Sequence, residues 1–174
     1  MGGLEEDKIG SEIYILDANV LIDFNDSDIT ILSLIATHIG ACYVASPVLV
    51  DEVKKLDEAK CSSLGLLVVE PAIEQVALAE ERRGKLSFYD HLSLVIAKAS
   101  GWVVVTNEER LHRECSTDGV QSVWGLELLA RLVDKEILLS EDALVVVYTL
   151  HELSPKFVNE GIIERFRDRI GYLE

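Results

Sequence analysis

Few residues of this chain belong to the classes that cross-link secreted proteins or give nucleic-acid-binding proteins a basic surface. Its 174 residues include three cysteines and three prolines, and 16 Lys and Arg residues stand against 31 Asp and Glu residues. Cys42, Cys61 and Cys115 are widely spaced and form no C-x-x-C pair, which argues against a disulfide framework and a thiolate zinc site. We therefore expect three reduced thiols.

Long apolar runs and a basic charge balance are also missing. No run approaches the ~18 residues that a membrane-spanning helix needs. The acidic start, MGGLEEDKIG, has no signal-peptide core, and Glu6 stands where a myristoylation pattern needs Ser or Thr. We therefore expect a cytoplasmic protein without a membrane partner. The formal net charge of −15 disfavours nonspecific binding to nucleic acid, so any such role needs a local site.

Apolar residues make up 49% of the chain and are concentrated in short segments. The segments of strand length are IYIL (13–16), CYVA (42–45), LLVV (66–69), WVVV (102–105) and QSVW (121–124). Continuous β-branched runs are typical of parallel strands covered on both faces, and stretches with helical spacing separate them. This alternation predicts a doubly wound α/β sheet.

Cap signals and apolar spacing predict the helices. The predicted helices begin at Ser46-Pro47, run from Ser87 to Gly101, and cover 29–39, 72–82, 126–134, 141–150 and 159–170. After about Asp134 the pattern is helical only, which predicts a helical appendage.

Asp17 interrupts the apolar stretch ILDANVLIDF where the first predicted strand ends. Ligands of parallel α/β sheets collect outside the carboxyl ends of the strands, so Asp17 is a candidate functional residue. Alternatively, it caps the next turn through local backbone N–H groups. After WVVV the chain continues as Thr106-Asn107-Glu108-Glu109, so Glu108 and Glu109 are both available as a strand-end carboxylate. Glu70 after LLVV shows that a strand-end position is not specific by itself.

Glu52 shares an i, i+4 row with Val48 and Leu56 in the helix from Ser46, so it faces the core instead of the polar side. A carboxylate there must be paired with Lys or Arg, hydrogen-bonded or bound to a metal. Few cations occur in this half of the chain, which favours a functional role.

Asp90 shares a helical row with the apolar residues Leu94 and Ala97, so it also points inward or towards a cleft. The alternative is structural, because Ser87-x-x-Asp90 is a capping-box pattern. Its neighbour His91 is interpreted as a partly exposed residue and not as a ligand or base.

Like charges gathered at one edge of the sheet would raise their own pKa values and destabilise the fold. A divalent cation removes that difficulty. Oxygen-only ligation suits Mg²⁺ or Mn²⁺, and a metal-bound water or hydroxide can attack a phosphodiester. The set of carboxylates therefore predicts nuclease chemistry.

The segments ILDANVLIDF, SPVLVDEVKKL, YDHLSLVIAKASG and VVVTNEERL resemble, in order and spacing, the four acidic motifs of the PIN-domain family, which includes the VapC toxins of toxin–antitoxin pairs. The resemblance implies a three-layer α/β/α nuclease domain with a five-stranded parallel sheet over 12–134, followed by a helical C-terminal extension over 135–174. It also implies a ribonuclease that depends on Mg²⁺ or Mn²⁺. The catalytic and metal-binding residues that it implies are Asp17, Glu52, Asp90 and Glu108. The positions that it implies as hydrogen-bonding supports are Asn19 and Thr106. Glu108 is a departure, because the fourth motif commonly has Asp.

Two functions stay open. The first is an endoribonuclease with an RNA substrate. This enzyme would act either as a toxin with an antitoxin protein as its partner, or without such a partner. The second is a non-catalytic PIN-like scaffold that binds RNA or a protein. Dimers are common in the family, so a homodimer stays an open alternative for this chain. A haloacid-dehalogenase-type phosphatase is disfavoured, since it needs D-x-D and this chain has Asp17-Ala18-Asn19.

A basic cluster near the C-terminus bears on both functions. Arg165, Arg167 and Arg169 are interpreted as a solvated helix face balanced by Glu164 and Asp168. They would favour RNA binding only if they faced the cleft.

Overall fold

A computed structural model describes residues 12–82 and 84–173. The acidic start of the chain, on which the expected cytoplasmic location depends, lies outside these residues. Within them, no helix is long and apolar enough to cross a membrane. The three cysteines are free and buried.

Five short strands pair in one parallel sheet with the order β3-β2-β1-β4-β5. The strands are β1 (Tyr14–Leu16), β2 (Cys42–Ala45), β3 (Leu67–Val69), β4 (Val103–Val105) and β5 (Ser122–Val123). Every residue of β1 and β4 is buried, so both faces of the sheet are covered at its centre. The predicted α/β class with a five-stranded parallel sheet is confirmed.

Ten helices connect and cover these strands in the described part of the chain. They are α1 (Ala18–Ser27), α2 (Thr30–His38), α3 (Ser46–Glu52), α4 (Glu58–Ser63), α5 (Ile73–Glu81), α6 (Phe88–Ser100), α7 (Glu109–Thr117), α8 (Gly125–Asp134), α9 (Ser140–Leu153) and α10 (Glu160–Arg169). All seven predicted helices are present. The end of α6 is confirmed as well, since Gly101 caps it with φ of 71°, a left-handed conformation that favours glycine.

Three helices, α1, α4 and α7, were not predicted, and α3 is shorter than its apolar row suggested. In α7 only Leu111 and Cys115 are buried, so its sequence has too few apolar positions to show a helical stripe. Helix α3 ends at Glu52. Leu56 therefore lies beyond the helix, and the predicted row from Val48 to Leu56 is wrong in its last member, although Leu56 is buried.

The strand order places a crevice beside β1. The chain builds outward from β1 through β2 to β3 and then crosses back to add β4 on the other side of β1. In open α/β sheets, this reversal of direction separates the connections at the carboxyl ends of two neighbouring strands and leaves room for a ligand. Asp17 follows β1 and Thr106 follows β4, so both lie at this point.

The last two helices lie against earlier parts of the chain. Helix α9 packs on α1 and α8, and α10 packs on α8 and α9. The side chain of Arg169 in α10 donates hydrogen bonds to Glu127 and Asp134 of α8. The division of the chain into a nuclease domain over 12–134 and a helical C-terminal extension over 135–174 stays a prediction.

Candidate functional site

Asp17 lies at the end of β1 and is also the N-cap of α1, so both interpretations of this residue describe its position. It is 1% exposed. Its Oδ1 accepts a hydrogen bond from the backbone N–H of Ala18 at 2.8 Å, and its Oδ2 accepts one from the Thr106 hydroxyl at 2.9 Å. Burial and the charges of Asp90 and Glu108 raise the pKa of Asp17 to about 7, against the opposing effect of the two hydrogen bonds.

Glu108 is held beside this carboxylate by two residues. Asn19 Nδ2, on the first turn of α1, donates to Glu108 Oε1 at 2.6 Å. The backbone N–H of Glu108 donates to the Thr106 hydroxyl oxygen at 3.1 Å. Thr106 is fully buried, so a single hydroxyl connects the carboxyl ends of β1 and β4.

Asp90 closes the capping box at the start of α6. Its Oδ2 accepts from the backbone N–H of Ser87 at 3.0 Å, and the Ser87 hydroxyl accepts from the backbone N–H of Asp90 at 3.1 Å. The structural alternative is therefore present in the molecule. Asp90 is nevertheless buried, and its charge raises the pKa values of both Asp17 and Glu52.

Glu52 is the last residue of α3 and is half-buried, whereas its neighbour Asp51 is exposed and accepts a hydrogen bond from Tyr89. Burial, Asp90, Glu108 and then Asp51 raise the pKa of Glu52. No Lys or Arg of the described residues forms an ion pair with Glu52. The basic partner considered as an alternative is therefore not found in this part of the chain.

Asp17 and Glu52 thus each lie within electrostatic range of Asp90 and Glu108, although the four carboxylates come from four separate elements. They stand at the end of β1, the end of α3, the start of α6 and the end of β4. Glu70 differs, because it follows the edge strand β3 and is exposed. Across 12–82 and 84–173, no group of three or more His, Cys, Asp or Glu side chains is arranged to hold a metal ion. Metal binding by the four residues stays a prediction.

The donor chemistry fits Mg²⁺ or Mn²⁺ all the same. The donors are carboxylate oxygens, which these hard cations prefer. Asp17 is buried, and one of its oxygens accepts a hydrogen bond from the Thr106 hydroxyl. Burial first, and then the charges of Asp90 and Glu108, raise its pKa. No described Lys or Arg compensates for these negative charges with a positive charge. A dication between these groups would supply that charge.

His91 corrects the sequence interpretation. It is 3% exposed instead of partly exposed, and neither of its ring nitrogens is hydrogen-bonded to a described residue. Burial and the nearby charge of Arg82 lower its pKa. This burial disfavours the charged imidazolium, since every residue of α6 from Asp90 to Ala97 is buried.

Sequence reasoning missed a second pair of polar residues next to the acidic site. Asn107 Nδ2 donates to Asp23 Oδ2 at 2.7 Å, and Asn107 Oδ1 accepts from the backbone N–H of Gly125 at 3.0 Å. A Cβ at Gly125 would lie 3.0 Å from that same oxygen, so glycine permits the close approach. One signal was available, since Asp23 follows Asn19 by four residues and thus lies on the same face of α1.

Two of the C-terminal arginines, Arg165 and Arg169, are exposed as the predicted solvated face requires, but Arg169 is not balanced by Glu164 or Asp168. Arg169 is paired with Glu127 and Asp134 of α8, and Arg167 lies over the ring of Tyr172, 5.6 Å from its centre. Arg165 is exposed and lines a pocket next to Asn107.

These features define a class of protein: an α/β chain with a parallel five-stranded sheet and an acidic crevice at the point where the strand order reverses. No protein-family model matches the sequence, and the search of curated proteins found no match. Among solved structures the chain is similar to a PilT N-terminus (PIN) domain protein of the hyperthermophilic archaeon Sulfolobus solfataricus P2. The identity is 11% and the TM-score 0.49, over 68% of this chain and 92% of that chain. A likeness at this level contributes nothing to the assignment of function.

Proposed function

We propose that this protein is a PIN-like endoribonuclease that depends on Mg²⁺ or Mn²⁺. Asp17, Asp90 and Glu108 would hold the metal ion, and Glu52 would bind it or orient the attacking water. The observation that carries this proposal is electrostatic. Asp90 and Glu108 each raise the pKa values of both Asp17 and Glu52, and no described cation is paired with Asp17 or Glu52.

Such an arrangement opposes folding unless something binds to it. Carboxylates that repel one another across a crevice destabilise the native state at neutral pH, because the unfolded chain separates them. Purely structural carboxylates are usually paired with Lys or Arg, as Asp118 is with Arg82 at 2.5 Å elsewhere in this chain. Clusters of perturbed acids in a cleft are typical of functional sites.

The supporting residues have definite tasks in this proposal. Thr106 and Ala18 fix the two oxygens of Asp17, and Asn19 fixes one oxygen of Glu108. Glu52 is half-buried with a raised pKa, which suits a group that takes a proton from a water molecule near neutral pH. A bound Mg²⁺ or Mn²⁺ would lower the pKa of that water and stabilise the leaving oxygen.

Cleavage of single-stranded RNA in Mn²⁺ tests the proposal with two matched pairs of variants. Asp17→Asn and Glu108→Gln are expected to lower the cleavage rate by roughly 100-fold or more, because each removes a ligand charge and keeps the side-chain shape. The controls are Asp26→Asn, on the outer end of α1, and Glu109→Gln, which is exposed beside Glu108. Full activity in Asp17→Asn, or equal losses in the controls, contradicts the assignment.

A second candidate is a non-catalytic scaffold that binds RNA or a protein. It is favoured by the capping roles of Asp17 and Asp90, and by the fact that the described residues hold no ready-made metal site. Calorimetric titration with Mn²⁺ separates the two candidates. The ribonuclease requires one saturable site that Asp17→Asn removes, whereas a scaffold has no need of such a site.

A toxin role is a finer proposal that depends on the ribonuclease activity. Induced expression in a bacterial host is expected to arrest growth, and Asp17→Asn is expected to restore it. Growth arrest by both forms would separate toxicity from RNA cleavage.

A further inference from the structure

A pocket with a volume of about 420 Å³ lies next to the acidic site. We call it the C-terminal pocket, since α8, α9 and α10 form most of its wall and the inner end is formed by α1 and the residues after β4. The lining residues that matter for its chemistry are Asp23, Asn107, Trp124, Phe157 and Arg165.

The C-terminal pocket begins one helical turn from the acidic site. Asn19 and Asp23 are four residues apart on α1, which corresponds to about 6 Å along the helix. Asn19 is hydrogen-bonded to Glu108, and Asp23 is hydrogen-bonded to Asn107. A chain molecule whose backbone reaches the acidic crevice can therefore place its neighbouring unit in the pocket.

Two aromatic rings are exposed on the wall of the pocket. Trp124 is 45% exposed, and its indole is supported by the ring of His112 at 4.0 Å. Phe157 is 74% exposed, but its backbone N–H donates to the carbonyl of Ser154 at 3.0 Å, which places it in an ordered turn. Exposed aromatic rings beside a cleft are the usual platforms for unpaired nucleobases.

The charges of the pocket favour an anionic ligand at one position. Its two arginines differ, because Arg169 is paired with Glu127 and Asp134, whereas no carboxylate of the described residues is paired with Arg165. A free guanidinium is notable in a chain with a net charge of −15. Arg165 therefore remains available for a phosphate. Asp23 and Asn107, which are hydrogen-bonded to each other, line the same pocket.

We infer that the C-terminal pocket binds one unpaired nucleotide of a single-stranded RNA, with its base stacked on Trp124 or Phe157 and its phosphate paired with Arg165. This inference rests on the proposed ribonuclease function, since the adjoining nucleotide would enter the acidic crevice. It assigns the helices after Asp134 a role in substrate binding.

Binding of a short oligoadenylate RNA in metal-free buffer tests the pocket without cleavage. In a Trp102→Phe background Trp124 is the sole tryptophan, and stacking of a base is expected to quench its fluorescence. Arg165→Ala and Phe157→Ala are each expected to weaken RNA binding, measured by anisotropy of a labelled oligonucleotide, by roughly tenfold. The matched control is Arg167→Ala, which removes the same charge from the same helix on a side that faces Tyr172.

The possible results separate this inference from the proposed function. If Arg165→Ala and Phe157→Ala bind RNA as tightly as the unaltered protein, the pocket assignment is overturned while the ribonuclease proposal stands. If no RNA binds to any form, the pocket assignment is overturned, whereas the ribonuclease proposal is decided by the cleavage assay in Mn²⁺. If Phe157→Ala instead abolishes a dimer seen by sedimentation, the pocket is covered by a second copy and the inference is wrong. Asp17→Asn is expected to keep the RNA binding and lose the cleavage.

Discussion

Thr106 holds two carboxylate-bearing segments in place with one hydroxyl group. It donates to Asp17 and accepts from the backbone of Glu108, and the side chain is completely buried. A buried hydroxyl with both functions satisfied stabilises an arrangement that the carboxylate charges oppose. The position of Asp17 is thus set by hydrogen bonds, while its charge is left without compensation.

This imbalance predicts the pH dependence of stability in metal-free solution. The pKa of Asp17 is about 7 in the folded protein against 3.8 for an unperturbed aspartate, so between these pH values the folded state retains a proton that the unfolded state loses. The contribution of Asp17 to the free energy of unfolding therefore falls as the pH rises from about 4 to about 7, and is level above that. We expect Asp17→Asn to be more stable than the unaltered protein by roughly 1–3 kcal/mol at pH 8, with little difference at pH 4.

Urea unfolding at several pH values in EDTA measures this difference. The comparison of the two forms cancels the contribution of His91, whose lowered pKa acts in the opposite direction and makes the protein less stable as the pH falls below about 6.5. The control is Asp26→Asn, whose residue lies at the exposed outer end of α1. A constant difference between Asp17→Asn and the unaltered protein across this range would contradict the raised pKa.

At the scale of the elements, α1 and α10 define the space around the crevice. Helix α1 begins at the Asp17 cap and presents Asn19 and Asp23 to the residues after β4. Helix α10 is held on α8 by Arg169, whose guanidinium makes four hydrogen bonds of 2.7–3.2 Å to Glu127 and Asp134. These planar contacts require the fork geometry of arginine.

Arg169→Ala is therefore expected to loosen α10 and, with it, the C-terminal pocket. Since the Arg169 side chain is 36% exposed, solvent screening limits the expected loss to about 1 kcal/mol. Hydrogen–deuterium exchange of the amides in 160–169 should become faster, while exchange in β1 and β4 should not change. Arg169→Lys should give a similar result, because lysine cannot make the bidentate contacts. Unchanged exchange in α10 would show that its apolar contacts are enough to hold it on α8 without Arg169.

At the scale of the whole molecule, the order β3-β2-β1-β4-β5 brings distant segments together. Asp17 and Glu108 are neighbours because β4 returns to the side of β1, and Asp90 precedes β4 at the start of α6. The chain as a whole carries a net charge of −15, so its overall field repels further negative charge.

Thermal unfolding distinguishes a specific cation site from general charge screening. Added NaCl is expected to raise the melting temperature of both the unaltered protein and Asp17→Asn, because it screens the net charge. At equal ionic strength, saturating Mn²⁺ should raise the melting temperature of the unaltered protein but not that of Asp17→Asn. The expected rise is roughly 4–10 °C if the ion is present at about 100 times its dissociation constant. An equal Mn²⁺ effect on both forms would mean that the ion acts only on the net charge.

Much of the framework was predictable because it depends on neighbours in the chain. The five strands were visible as apolar runs, and Ser87 and Gly101 marked the ends of α6. Helix α7 was missed, since its charged surface hides the two buried positions that hold it to the core. The burial of His91 was missed for a related reason, because a helix that is covered on almost every side has no polar face to reveal its orientation.

Local signals in the chain are enough to show which residues end the strands and cap the helices, and therefore that Asp17 and Glu108 follow buried parallel strands. Folding settles which of these ends become neighbours, that Glu52 lacks a described basic partner, and that Arg169 is paired while Arg165 is not. The two kinds of information differ because the underlying interactions act over different distances along the chain. Local hydrogen bonding and apolar periodicity act over a few residues and can be read along the chain. Electrostatic repulsion and pocket shape depend on groups that are far apart in the chain and meet when the protein folds, such as Asp17 and Thr106 in the acidic site or Asp23 and Arg169 in the C-terminal pocket.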